Sequence, residues 1–134
     1  MSNLSGLPRR ATSRALLLTV LTLALTACGV RQLPTQPLMV SGGDANQGKL
    51  AVSAYGCGAC HQIAGIANAR GDVGPPLDGI ASRHIIGGYL ANDPQNMIHW
   101  IQDPQSVAPG NAMPNMGVTD DDARDIATYL YTLK

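Results

Sequence analysis

Apolar residues recur every three or four positions in three stretches of the chain, and each stretch carries its own start signal. Ala45, Gly48, Val52 and Tyr55 share one face behind Asp44 and Gln47, which have capping-box spacing, and this predicts a helix that ends near Gly56. Met97, Ile98 and Ile101 predict a second helix, capped by Asn92 or Asp93 with Pro94 in its first turn and stopped at Asp103-Pro104. Ala123, Ile126, Leu130 and Leu133 form the stripe of a third, with Thr119 as cap, Asp122 three residues on, and Asp120 and Asp121 placed to complement the helix dipole. Residues 64–76 and 107–118 carry the Gly, Pro and Asn of loops, and a short helical turn is expected within 77–90. No run alternates with a period of two, so the predicted fold class is all-α.

Ahead of these stretches the pattern changes. Ala15 to Ala27 is a short, mainly apolar stretch behind Arg9, Arg10 and Arg14. Its length suits the h-region of an export signal, whereas a spanning helix needs about 20 residues. It ends Leu25-Thr26-Ala27-Cys28-Gly29, which resembles a lipobox, so residues 1–27 are expected to be a lipoprotein signal and Cys28 the lipidated N-terminus. An ordinary cleaved leader that contains a Cys is the alternative. A twin-arginine route is disfavoured, because the apolar and Lys residues that usually follow the arginine pair are missing. Residues 28–43, rich in Gly, Pro, Gln and Ser, read as a tether, and 44–134 as a single domain.

Composition bears on the core and on partners. Aromatic residues are 4% of the chain and Phe is absent, so a domain of this size has little large apolar surface of its own to bury and something else should fill its centre. The leader takes three of the nine basic residues, leaving six against nine acids, a net charge of −3 that argues against nucleic acid as a partner.

Cys57-Gly58-Ala59-Cys60-His61 is the haem-attachment pattern: two thiols spaced to form thioethers with the two vinyl groups, and an adjacent imidazole that meets the iron from the same side. A redox dithiol of the thioredoxin kind belongs at a strand-to-helix junction, and no strands are predicted. A structural zinc site needs four ligands and has no second paired cluster here. For the second axial ligand the sequence offers Met113, Met116, Met97, Met39, His84 and His99. Met113 is favoured, because it lies on a Gly- and Pro-bounded loop about 50 residues beyond His61 that lets its thioether reach the opposite face. Met116 is its competitor, and Met97, on a helical apolar face, reads as core.

From Gly48 to Lys134 the chain resembles class I cytochromes c, especially the cytochrome c domain fused to subunit II of some bacterial haem-copper oxidases. The matches are Gly48-Lys49-Leu50, Tyr55 to His61, Val73-Gly74-Pro75, Trp100 to Gln105, Ala112-Met113-Pro114 and Tyr129-Leu130. The resemblance implies a helical shell around one haem c, bound through Cys57 and Cys60, with iron ligands His61 and Met113. It implies that Gly48 and Tyr129 lie where the first and last helices cross, beside Ile126. It further implies that the Pro75 carbonyl accepts the Nδ1 hydrogen of His61, that the Trp100 indole reaches a haem propionate, and that Arg83 pairs with a propionate. Core burial of Trp100 and a solvated Arg83 are the alternatives. The copper-binding part of the fused oxidases is not seen, and the lysine ring of mitochondrial cytochromes c is missing. The expected function is a monomeric, non-enzymatic electron carrier, held by lipid on the periplasmic side of a bacterial membrane, the cytoplasmic membrane before the outer one, and exchanging electrons with an oxidase or dehydrogenase. A haem enzyme or sensor with a labile Met113 is the alternative, and an assembly lipoprotein with haem as a staple is a third.

Overall fold

The computed structural model describes residues 38–134; the expected leader, Cys28 and the first part of the expected tether lie outside the described residues. Those described form helices α1 (Ala45–Ala54), α2 (Pro94–Gln102), α3 (Pro104–Val107) and α4 (Asp120–Leu130), 3-10 turns at Cys57–Ala59 and Ile80–Ser82, and a hairpin of β1 (Ile85–Ile86) with β2 (Leu90–Ala91). The class is all-α, as the helical periodicity predicts. Helix α3 and the hairpin are additions to that reading. In the hairpin Ile86 pairs with Leu90 and Ile85 with Ala91, so each strand is too short for an alternating pattern to register.

Asp44 caps α1, its Oδ1 accepting from the N–H of Asn46 at 2.7 Å and of Gln47 at 3.3 Å. Gln47 does not return the bond as a capping box would; the N–H of Asp44 donates instead to Asp125 Oδ1 at 2.7 Å, which ties the start of α1 to the middle of α4. Thr119 caps α4 by accepting from the Asp122 N–H at 3.2 Å, while its hydroxyl donates to Asp122 Oδ2 at 2.8 Å. Asp103 closes α2 and caps α3, accepting from the Ser106 N–H at 3.1 Å, so Pro104 stops one helix by starting the next.

Helices α1 and α4 cross at Gly48. A Cβ there would overlap the Asp125 carbonyl, so the close approach requires a residue with no side chain. Ile126 and Tyr129 are buried beside the crossing, and the Tyr129 hydroxyl donates to Ala64 O at 2.7 Å, pinning the loop after the Cys-x-x-Cys-His turn to α4. Val40 is buried in the same core, and a Cβ on Gly43 would overlap Thr128, so packing begins ahead of Asp44. At the far end of α4, the Tyr131 hydroxyl donates to Asn92 Oδ1 at 2.9 Å, and Asn92 Nδ2 donates to Ile80 O and Arg83 O, both at 2.8 Å.

Candidate cofactor site

The helices do not close over the centre of the domain. A cavity of about 520 Å³ remains, lined by Cys57, Cys60 and His61 from the turn after α1, by Val73, Gly74 and Pro75, by Trp100, by Met113 and Met116, and by Ile126 and Leu130 of α4. A small-molecule site typically spans about 300 to 1,000 Å³ and has mainly apolar walls. Val73, Ile85 and Met116 carry the apolar lining out to solvent, being 62%, 51% and 45% exposed.

One wall is organised around His61. Its Nδ1 lies 2.8 Å from the Pro75 carbonyl oxygen, and because a carbonyl can only accept, Nδ1 carries the hydrogen, so in the neutral imidazole the lone pair is on Nε2. A Cβ on Gly74 would overlap the His61 ring, so this glycine allows the Pro75 carbonyl to come so near. The Gly74 N–H in turn donates to Cys60 O at 2.8 Å. The two thiols form no disulfide, and burial pushes the Cys57 thiol up against a backbone hydrogen bond that lowers it, with neighbouring Cys60 adding a smaller upward push. A dithiol that exchanges disulfides needs the opposite shift. Among the described residues no three His, Cys, Asp or Glu side chains gather into a metal-binding cluster.

Of the other candidate ligands, Met113, Met116 and Met97 line the cavity, Met97 almost fully buried. Met39 is exposed at 77%, His84 is exposed away from the cavity, and His99 Nε2 lies 3.1 Å from Ser106 Oγ. Trp100 lines the cavity with its ring stacked on Tyr89, centroids 6.4 Å apart, so it is neither plain core nor free surface. Arg83 also lines the cavity, but its Nη2 donates to Pro76 O and, at 3.0 Å, to Asp78 O. It straps the loop that follows Pro75, which neither expected role of Arg83 includes.

Three features escape a reading of the sequence. Tyr55, on the cavity wall, donates to Asp122 Oδ2 at 2.7 Å, and that bond, with the Thr119 hydroxyl, holds the Asp122 carboxyl below the usual range. Asn92 joins α4 to the backbone of Arg83. The loop that bears Met113 is laced by the carboxamides of Gln105, Asn111 and Asn115. The polar residues involved look like ordinary loop and surface composition, and only the bond geometry distinguishes them.

The residues present fit a large flat apolar group with two points of thioether attachment: the cavity is apolar, its two thiols are free, and a fixed imidazole offers its Nε2. A helical shell left open at a Cys-x-x-Cys-His turn is the architecture of a c-type haem protein. The cytochrome c family model matches residues 45–134, and the chain belongs to that family. It is 36% identical over 91 residues to cytochrome c oxidase subunit 2 of Alkalihalophilus pseudofirmus, covering 67% of this chain and 26% of that protein. It is 33% identical to cytochrome c2 iso-2 of Magnetospirillum molischianum (58% of this chain, 91% of that protein) and 36% identical to cytochrome c-550 of Nitrobacter winogradskyi (62% and 84%). The chain thus spans about a quarter of the oxidase subunit and most of each small cytochrome. It carries one covalent haem c through Cys57 and Cys60, and members of this family are typically electron carriers rather than enzymes.

Proposed function

We propose that the chain is an exported, lipid-anchored monohaem cytochrome that passes single electrons to or from a membrane redox complex, with His61 and Met113 as the two iron ligands. The observation that carries this reading is that His61 and Met113, from segments far apart in sequence, border the same cavity. When bound, the haem iron supplies a one-electron couple between its ferric and ferrous states. The chain's residues serve that couple by keeping the site unchanged as charge comes and goes. Pro75 fixes the His61 tautomer and increases its basicity through the 2.8 Å bond. Held by both His61 and Met113, the iron would keep no position for substrate, and this Met/His pair would raise its potential. Trp100 and the remaining N–H groups of Arg83 are the donors proposed for the propionates.

Residues 1–27 are proposed to be a lipoprotein signal, the segment from Cys28 up to Val40 a lipidated tether, and the rest of the chain the cytochrome domain, whose buried core starts at Val40 rather than at Asp44, monomeric and on the periplasmic side of the cytoplasmic membrane. No described helix is long and apolar enough to cross a membrane, and a lipid on Cys28 would supply the anchor. A tether raises the effective concentration near membrane partners and can replace charge steering, which suits a chain that after its leader has only Lys49 and Lys134 as lysines. Similarity to an oxidase subunit nominates a terminal oxidase as one such partner.

The test is spectroelectrochemistry on membranes from cells making the wild type and Cys28→Ser. The wild type should titrate in the membrane fraction as one reversible one-electron step with a Met-to-iron band in the ferric spectrum, and the variant should leave the membranes or remain unprocessed. A five-coordinate spectrum would favour the enzyme or sensor reading. Wild type in the soluble fraction would remove the lipid anchor.

A further inference from the structure

Both main-chain polar groups of Met113 are held by side-chain carboxamides. Gln105 donates from Nε2 to Met113 O at 2.7 Å and to Asn111 O at 3.0 Å, and its Oε1 accepts from the Gly110 N–H at 2.9 Å. Asn111 Oδ1 accepts from the Met113 N–H at 2.7 Å, and Asn111 Nδ2 donates to Ala108 O at 2.7 Å and Pro104 O at 3.0 Å. Gln105 thus touches three points along the loop, and neither of its polar ends is left over.

The platform for this lacing is itself fixed. Helix α3 has four residues, far too few to persist alone. Asp103 holds its start, with Oδ1 accepting from the Ser106 N–H at 3.1 Å and from Asn115 Nδ2 at 2.8 Å, and Asn115 Oδ1 accepts from the Gln105 N–H at 3.3 Å. None of these bonds reaches Met116, which also lines the cavity and is 45% exposed.

We propose that Gln105 is a positioning residue that, with Asn111, presents Met113 rather than Met116 to the iron and keeps it there. The inference rests on the reading of Met113 as the second axial ligand. A thioether is a neutral, weak ligand, and its retention against a competitor depends on how much loop freedom is lost when it binds. A loop already fixed at Met113 N–H, Met113 O, Asn111 O and Gly110 N–H loses little more. Loosening the loop therefore leaves Met113 able to bind but easier to displace.

The experiment titrates the ferric holoprotein with imidazole and follows the Met-to-iron band in the wild type, Gln105→Leu, Gln105→Glu, Tyr131→Phe and Met113→Ala. Gln105→Leu should retain the band without imidazole but bind imidazole about tenfold more tightly, the equivalent of one or two net hydrogen bonds. Gln105→Glu keeps an acceptor for Gly110 but loses the Nε2 donor, so it should follow Gln105→Leu, and it carries the test if the leucine variant fails to fold. Tyr131→Phe removes the hydrogen bond to Asn92 Oδ1, which involves no residue of the Met113 loop, and should lower thermal stability with no change in imidazole affinity. Wild-type affinity in the folded Gln105 variants, or an equal gain in Tyr131→Phe, would overturn the proposal. Persistence of the band in Met113→Ala is a separate failure: it removes the ligand assignment itself, and this inference with it.

Discussion

The Nδ1–H of His61 donates to the Pro75 carbonyl at 2.8 Å, across a glycine whose missing side chain makes room for the imidazole. Gly74→Ala places a methyl group in the ring's space. It should tilt His61 or push Pro75 away, with an overpacking penalty of about 1 to 3 kcal/mol. Thermal melting and the yield of covalently attached haem measure the two consequences, and a variant that matches wild type in both would show that the loop yields freely.

Gly48 makes the same demand at the helix crossing. Gly48→Ala should improve the intrinsic propensity of α1 by up to about 1 kcal/mol, yet destabilise the folded domain, because the new Cβ overlaps the Asp125 carbonyl. Denaturant unfolding gives the sign. Net stabilisation would mean that α1 and α4 can separate without cost.

Legibility in the sequence followed the range of the interaction. The caps at Asp44 and Thr119 are local and readable from residue type and spacing, as is the Cys57 to His61 turn, while the cap of α2 is readable only as Asn92 or Asp93, of which the structure uses Asp93. The partner of the Asp44 N–H is 81 residues away at Asp125, and nothing in the local pattern announces it. The Gln105 and Asn111 bonds escape for a different reason: carboxamides in a Gly- and Pro-containing loop have the composition of any solvated turn. Resemblance assigns Arg83 to a propionate, and its bonds to Pro76 O and Asp78 O arise from a chain reversal around the 3-10 turn at Ile80–Ser82, which period alone does not place.

The Tyr55–Asp122 bond predicts a pH dependence. The Asp122 carboxyl is lowered, first by the Tyr55 hydroxyl and then by Thr119, so its ionised form is favoured by folding. That stabilisation is fully present above the unfolded carboxylate pKa of about 4 and is lost as pH falls through the lower folded value. Tyr55→Phe should therefore melt below wild type at neutral pH, and the gap should narrow below about pH 4. Asp103, also lowered, titrates in both proteins and cancels in the comparison. A gap that is constant with pH would assign the effect of Tyr55 to packing.

Met113→Ala should abolish the Met-to-iron band, and Met116→Ala should leave it intact. Both side chains line the cavity, but only the main chain of Met113 is held at both its N–H and its carbonyl. The reverse outcome would transfer the ligand role to Met116.

The central claim is that one covalently attached haem occupies the cavity and organises a domain that has one Trp, four Tyr and no Phe. Ordering each residue of the backbone costs on the order of 1 to 2 kcal/mol, and the helices are shorter than the roughly 12 to 15 residues needed to persist alone in water. Intact mass of the acid-extracted protein, paired with amide exchange on Cys57→Ala/Cys60→Ala prepared without haem, tests this most directly. The wild type should carry one haem mass, and the variant should be largely unfolded. A wild type with the bare polypeptide mass, or a haem-free variant that melts cooperatively from native helix content, would contradict it.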